Sequence, residues 1–162
     1  MVTIRSVLGA AGLVLVASWA TGLDSAPPSD TAVQEIQAFN REFREATLRM
    51  NNARVVALWD EAGVSLLPGL APIIGKQAIS QWLDDLVHKM PGYRVTKQEN
   101  VFHDIQVSGD WASEWGETRQ VVSPPDGKPP IEGRGKVLLV LHRNRAGEWK
   151  IRQEMWNPGP RE

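Results

Sequence analysis

Near the end of the chain Arg152, Glu154 and Trp156 alternate with Gln153 and Met155, so a strand here puts a guanidinium, a carboxyl and an indole on one face. Trp111, Ser113, Trp115, Glu117 and Arg119 alternate in the same way on an earlier segment. A glutamate beside tryptophan in a dry pocket has its pKa raised by desolvation, which suits general acid–base work. Glu154 is therefore the first candidate for a functional carboxylate, and a buried ion pair with Arg152 or Arg119 is the plainer role. Glu117 and Arg119 can pair with each other, or Arg119 can clamp a ligand carboxylate through two parallel hydrogen bonds.

Other chemistries find little support. The chain has no cysteine, which removes disulfides, thiolate metal sites and a thiol nucleophile. His88, His103 and His142 lack the short spacing that binds a metal on one helix or strand, so no metal and no cofactor is expected. No nucleophile-elbow motif supports a Ser-His-Asp arrangement. Gly133-Arg134-Gly135 lacks the strand–turn–helix setting of a phosphate loop and reads as a strand start or bulge.

The elements that must position these residues follow from periodicity. Val33, Ile36, Phe39, Phe43, Thr47 and Met50 form one apolar stripe and predict a helix from about residue 31 to Met50, stopped by Asn51-Asn52. A short helix over 53–60, a strand over 63–67 and a helix over 76–88 follow. From Tyr93 the pattern changes to strands over 93–107, 111–122, 131–142 and 148–156. The short turns between them imply antiparallel pairing, and helices followed by a meander make the class α+β. The run Val137 to Leu141 is apolar without alternation, which predicts a strand covered on both faces. Helices can cover one face; a second copy of the chain, or the chain's own helices at the sheet ends, can cover the other.

Hydrophobic residues make up 42% of the 162 residues, enough for one domain with a core. The net charge of -1 gives no basic surface for nucleic acid. Seven tryptophans against one tyrosine and three phenylalanines favour cores and pocket walls. Arg5, the apolar run Val7–Ala17 and the small residues Ser18 and Ala20 form a signal-peptide pattern, with cleavage expected after Ala20 or Ala26. The run is short for a membrane span, and an uncleaved anchor is the alternative. The organisation expected is signal peptide and linker over 1–26, one domain over 31–157 and a tail over 158–162, with a periplasmic or secreted location.

Three segments carry a family resemblance: Asn51 to Trp59; Val64-Ser65-Leu66-Leu67-Pro68-Gly69 with Ile74-Gly75-Lys76-Gln77-Ala78-Ile79; and Arg143 to Ile151 with Glu154-Met155-Trp156-Asn157. In them the chain resembles the nuclear transport factor 2-like superfamily, in its SnoaL-like and DUF4440 branches, which include ketosteroid isomerase. The resemblance runs from about Ala32 to Asn157. It implies a cone: three N-terminal helices packed in a strongly curved, mainly antiparallel sheet around a pocket, often dimeric through the sheet. It also implies that Trp156 points into the cone, which would turn Arg152 and Glu154 inward together with Trp111, Ser113, Trp115, Glu117, Arg119, Val137, Leu139 and Leu141. His142 should then face out. Trp59, Trp82 and Trp149 read as structural packing, and Phe39 or Phe43 as pocket floor.

The same resemblance places the isomerase base at Leu66, the tyrosine donor at Phe43 and the carboxylic-acid donor at Leu139. None of these side chains moves a proton, so that mechanism is not expected. Three readings remain. The domain binds a small hydrophobic molecule through Trp115, Glu117, Arg119, Arg152, Trp156, Phe43, Leu66 and Leu139; or it is a proton-transfer or hydro-lyase enzyme using Glu154; or it is a dimeric interaction domain with a vestigial pocket. An open cavity lined by Glu154 and Trp156 favours the first two.

Overall fold

A computed structural model describes residues 30–160 of the chain. The segment read as signal peptide and linker, and the last two residues, lie outside the described residues.

Helix α1 (Asp30–Leu48) buries Ala32, Ile36, Phe39 and Ala46, close to the expected stripe. It does not end on a left-handed asparagine. Met50 takes the positive φ of 52°, and Asn51 instead caps α2 (Asn52–Ala57), its side chain accepting the Arg54 N–H at 3.0 Å. Helix α2 is shorter than its sequence suggests. The Leu58 carbonyl accepts the Ile151 N–H at 2.8 Å, which draws the chain into the sheet, so Trp59 and Asp60 open β1 (Trp59–Leu66) rather than close the helix. Strand β2 (Ile73–Ile74) turns back on β1, and Gly75, at φ 91°, leads into α3 (Lys76–Lys89).

Four long strands complete the sheet: β3 (Arg94–Ser108), β4 (Trp111–Ser123), β5 (Ile131–Arg143) and β6 (Trp149–Pro158). The order across the sheet is β2-β1-β6-β5-β4-β3. All pairs are antiparallel except β1 with β6, where Ser65 stands opposite Glu154. The result is an open, curved, mixed sheet with the helices on its concave side. Strand β6 carries one residue more than β5 between Ile151 and Gln153. Strand β3, at the edge, carries extra residues at two places, between Val95 and Lys97 and between His103 and Gln106, and Asp104 takes φ 50°.

The core joins Ile36 and Phe39 of α1 to Leu139 and Leu141 of β5, Ile151 of β6 and Ile79 of α3. Each such side chain contributes roughly 1.5–3 kcal/mol by leaving water. Exposed ion pairs such as Arg54–Glu42 contribute about 0–1 kcal/mol, so packing decides the fold. The start of α1 is pinned separately. Glu35 Oε2 accepts from Arg143 Nη2 at 2.6 Å and from Trp149 Nε1 at 3.1 Å, and the Arg143 guanidinium lies 4.5 Å from the Trp149 ring centre. Coverage of β5 differs between its faces. Val137, Leu139 and Leu141 are buried under the helices, whereas Leu138 on the convex face is 42% exposed. Among the described residues no helix covers that side.

One polar pair lies inside this core. Asn40 Nδ2 donates to Glu114 Oε2 at 2.9 Å, while Glu114 Oε1 and Asn40 Oδ1 are buried without partners. Burial pushes the Glu114 carboxyl up to about 7, against the smaller opposing effect of the Asn40 bond. A native pKa above the unfolded value means the native state binds more protons between the two, so stability falls as pH rises through that window. Glu114 should account for roughly 3 kcal/mol of the unfolding free energy lost from about pH 4 to about pH 8, so Glu114→Gln should lose about that much less than wild type. Denaturant melts across pH measure this; an equal slope in both proteins would remove Glu114 as its source.

Candidate functional site

The concave side of the sheet and helix α3 enclose a cavity of about 400 Å³. Its walls are mostly apolar, with Trp59, Trp82, Leu83, Phe102 and Trp156 among them, and with Phe43 and Met50 contributed from α1 and its end. Trp59 and Trp82, read from sequence as packing, both line it. The cavity is not filled by Trp115 or Trp156.

Glu154 faces this cavity from β6. Ser65 Oγ, opposite it on β1, donates to Glu154 Oε2 at 3.0 Å. Burial holds the Glu154 carboxyl above the ordinary carboxylate range, and the Ser65 bond opposes this only in part. A carboxyl in that state keeps its proton to higher pH than a solvated one and can present it to a bound molecule. Trp156 lies flat against the sheet two residues on. A Cβ at Gly135 would stand 2.4 Å from its indole, so only glycine leaves room for the ring. The indole Nε1 reaches past β5 and donates to Thr118 Oγ1 on β4 at 3.1 Å.

The structure brings Glu154, Trp156 and Phe43 together at the cavity and separates the other residues proposed from sequence. Arg152 is the extra residue of β6. It leaves the inward row and donates through Nη1 to the Ala62 carbonyl on the exposed side. Strand β4 has the opposite parity to that expected. Ala112, Glu114, Gly116, Thr118 and Gln120 face the concave side, so Trp115, Glu117 and Arg119 face out. At the centre of this row Gly116 leaves no room for a side chain: a Cβ there would meet the Val101 carbonyl at 2.5 Å and Phe102 at 3.0 Å. Trp115 is 47% exposed and its ring meets His103 at 4.8 Å between centres. Arg119 holds Glu132 through two bonds of 2.8 and 2.9 Å, and with Arg134 this lowers the Glu132 pKa to about 2.

Leu66 also faces out, and its neighbour Ser65 takes the inward place. Leu139 is inward but sits in the core, not on the cavity. Of the three positions that the resemblance assigns to isomerase chemistry, Phe43 lines the cavity, Leu139 lies in the core and Leu66 faces out. Reading from sequence missed Ser65, Gln98, Asn100, Thr118 and Gln120 on the cavity wall. Pairing β4 to the apolar inward set of β5 would have found Thr118 and Gln120, since Thr118 stands opposite Gly135 and Gln120 opposite Gly133.

No family model matches the sequence, and no curated protein does. Solved structures do match the fold. A ketosteroid isomerase-like protein from Erwinia carotovora atroseptica superposes with a TM-score of 0.69 at 17% identity, over 81% of this chain and 99% of that one. The fold is the ketosteroid isomerase-like, NTF2-like cone. The same cone occurs in ActVI-ORFA from Streptomyces coelicolor, at TM-score 0.64 and 18% identity over 79% of this chain and 97% of that one. It occurs again in a Catenulispora acidiphila structure in complex with S-DNPA, at TM-score 0.65 and 18% identity over 79% and 93% of the two chains. Identities this low carry the cone and not its chemistry.

The cone's floor yields a direct test. Gly135→Ala should displace the Trp156 indole, break its bond to Thr118 and cost about 1–3 kcal/mol. Unfolding curves with near-ultraviolet circular dichroism would detect both effects. A variant with unchanged stability and aromatic signal would contradict this packing.

Proposed function

We propose that the protein is exported and binds a small, largely apolar molecule in the cone. The observation that carries this reading is the open cavity of about 400 Å³ with aromatic and aliphatic walls and few polar groups. The Catenulispora acidiphila structure supports it, being a cone of this kind in complex with S-DNPA. Export rests on the Arg5 to Ala20 pattern; among the described residues no helix is long and apolar enough to cross a membrane. Pairing of two copies rests on the convex face, where His103, Trp115, Leu138, Met155 and Leu66 stand in register across five strands. Trp115, Leu138 and Met155 are each more than two-fifths exposed there, an apolar row that water disfavours.

A second reading is proton transfer, favoured by the raised Glu154 carboxyl with one oxygen bonded to Ser65 and the other unbonded within the protein among the described residues. In it Glu154 exchanges a proton with a carbon or oxygen of the bound molecule.

Three experiments test these statements. N-phenylnaphthylamine should brighten on binding one site per chain, and Val87→Trp, which fills the mouth from α3, should weaken it roughly tenfold. No saturable binding would end the pocket reading. For proton transfer, a bound ketone should exchange its α-protons with deuterated water in wild type and not in Glu154→Gln, followed by NMR; equal exchange removes Glu154 from the chemistry. Protein recovered from outside the cytoplasm should begin after Ala20 or Ala26 by mass spectrometry and run as a dimer, with Trp115→Asp running as a monomer. An intact N-terminus or a monomeric wild type would overturn export or pairing respectively.

A further inference from the structure

Three primary amides stand on one stretch of the cavity wall, where alternation in a half-buried sheet ordinarily sets apolar side chains. Gln98 on β3 is opposite Gln120 on β4, and Gln120 is opposite Gly133 on β5. Asn100 and Thr118 are opposite each other in the next inward row of this face. All five line the cavity. The amides are joined head to tail: Gln120 Nε2 donates to Gln98 Oε1 at 2.8 Å, and Gln98 Nε2 donates to Asn100 Oδ1 at 2.6 Å.

This chain of bonds leaves unused capacity. Each amide carries two N–H donors and an oxygen. Gln120 Oε1 at one end and Asn100 Nδ2 at the other make no bond within the protein among the described residues. An acceptor therefore remains on Gln120, directly opposite Gly133, and a donor remains on Asn100 in the next inward row. The space at Gly133 is open, for a Cβ there would meet nothing within 4 Å. Among the described residues the cavity lining contains no Lys, Arg or His. An anion would lose its water without gaining a counter-charge, which disfavours it strongly.

We infer that Gln98, Asn100 and Gln120, with the gap above Gly133, form a polar subsite that takes an uncharged oxygen function, a hydroxyl, ketone or amide, on an otherwise apolar ligand. The inference rests on the cavity being a binding pocket. It makes the ligand a neutral amphiphile with its polar group toward β3 and β4, and it excludes carboxylates and phosphates as good ligands. A purely structural role for the amides, tying the edge strand to β4, is the competing account, and it makes no demand on the ligand.

A matched series separates them. Naphthalene, naphthol and naphthoate share one ring system and differ in carrying no oxygen, a hydroxyl or a carboxylate. Calorimetry on the full chain should give naphthol roughly fivefold tighter binding than naphthalene, the value of one neutral hydrogen bond, with naphthoate weaker than either. Gln98→Leu, which breaks the chain at its centre, should bring naphthol down to naphthalene and leave naphthalene unchanged. Gly133→Val, which removes no amide and fills the open space, should do the same and decides the matter if Gln98→Leu does not fold. Naphthol preference that survives either folded variant, or tight naphthoate binding, would overturn the subsite. Binding of all three without preference overturns the subsite alone; failure of these ligands and of N-phenylnaphthylamine together overturns the pocket and the subsite with it.

Discussion

One inserted residue in β6 sets the arrangement of both halves of the interior. Strict alternation cannot point Ile151 and Glu154 to the same side, since they lie three residues apart. Pushing Arg152 out of the ladder lets Ile151 complete the core with Leu141 while Glu154 and Trp156 reach the cavity. Strand β3 uses the same device: the extra residue before Lys97 lets Val95 and Gln98 both face the hollow. A bulge sharpens local twist as well as switching faces, which is how a sheet of long strands bends far enough to hold a helix and a cavity on one side.

The interior divides along the strands. Toward Leu139, Leu141 and Ile151 it is solid, and the polar pair Asn40 with Glu114 is closed off within it. Toward Gly133 and Gly135 it is hollow. The two glycines do different work. Gly135 admits the Trp156 ring, which then becomes the floor, whereas Gly133 leaves empty space. Surface charge takes little part: Arg119, Glu132 and Arg134 bind one another on the far side of the sheet.

The element order was legible because hydrophobic period is a strong signal over long segments: three helices and the four long strands stand near where Val33 to Met50, Ile79 to Leu86 and the alternating C-terminal half place them. The inward set of β5 was legible too, being Val137, Leu139 and Leu141. Strand β4 was misread because large aromatic side chains suggest burial. Here the crowded concave face takes Ala112, Gly116 and a buried Glu114, and leaves Trp111 and Trp115 outside. Arg152 was misread because nothing in a period-of-two pattern marks a bulge. Glu154 and Trp156 were placed at the cavity through the family resemblance, and Phe43 through the helix stripe. The amide chain was not legible, since isolated Gln and Asn in strands look like solvated positions until pairing aligns them.

The same irregularities on β3 have an effect beyond the cavity. Among the described residues it is an outermost strand of fifteen residues, with no strand paired to its far side. Regular edges of that length act as templates on which further chains stack. Thr96, the left-handed kink at Asp104 and the charged neighbours Lys97 and Glu99 break the row into pieces too short and too bent to copy. The distortions that aim side chains into the hollow thereby also guard the protein against runaway strand addition and fibril growth.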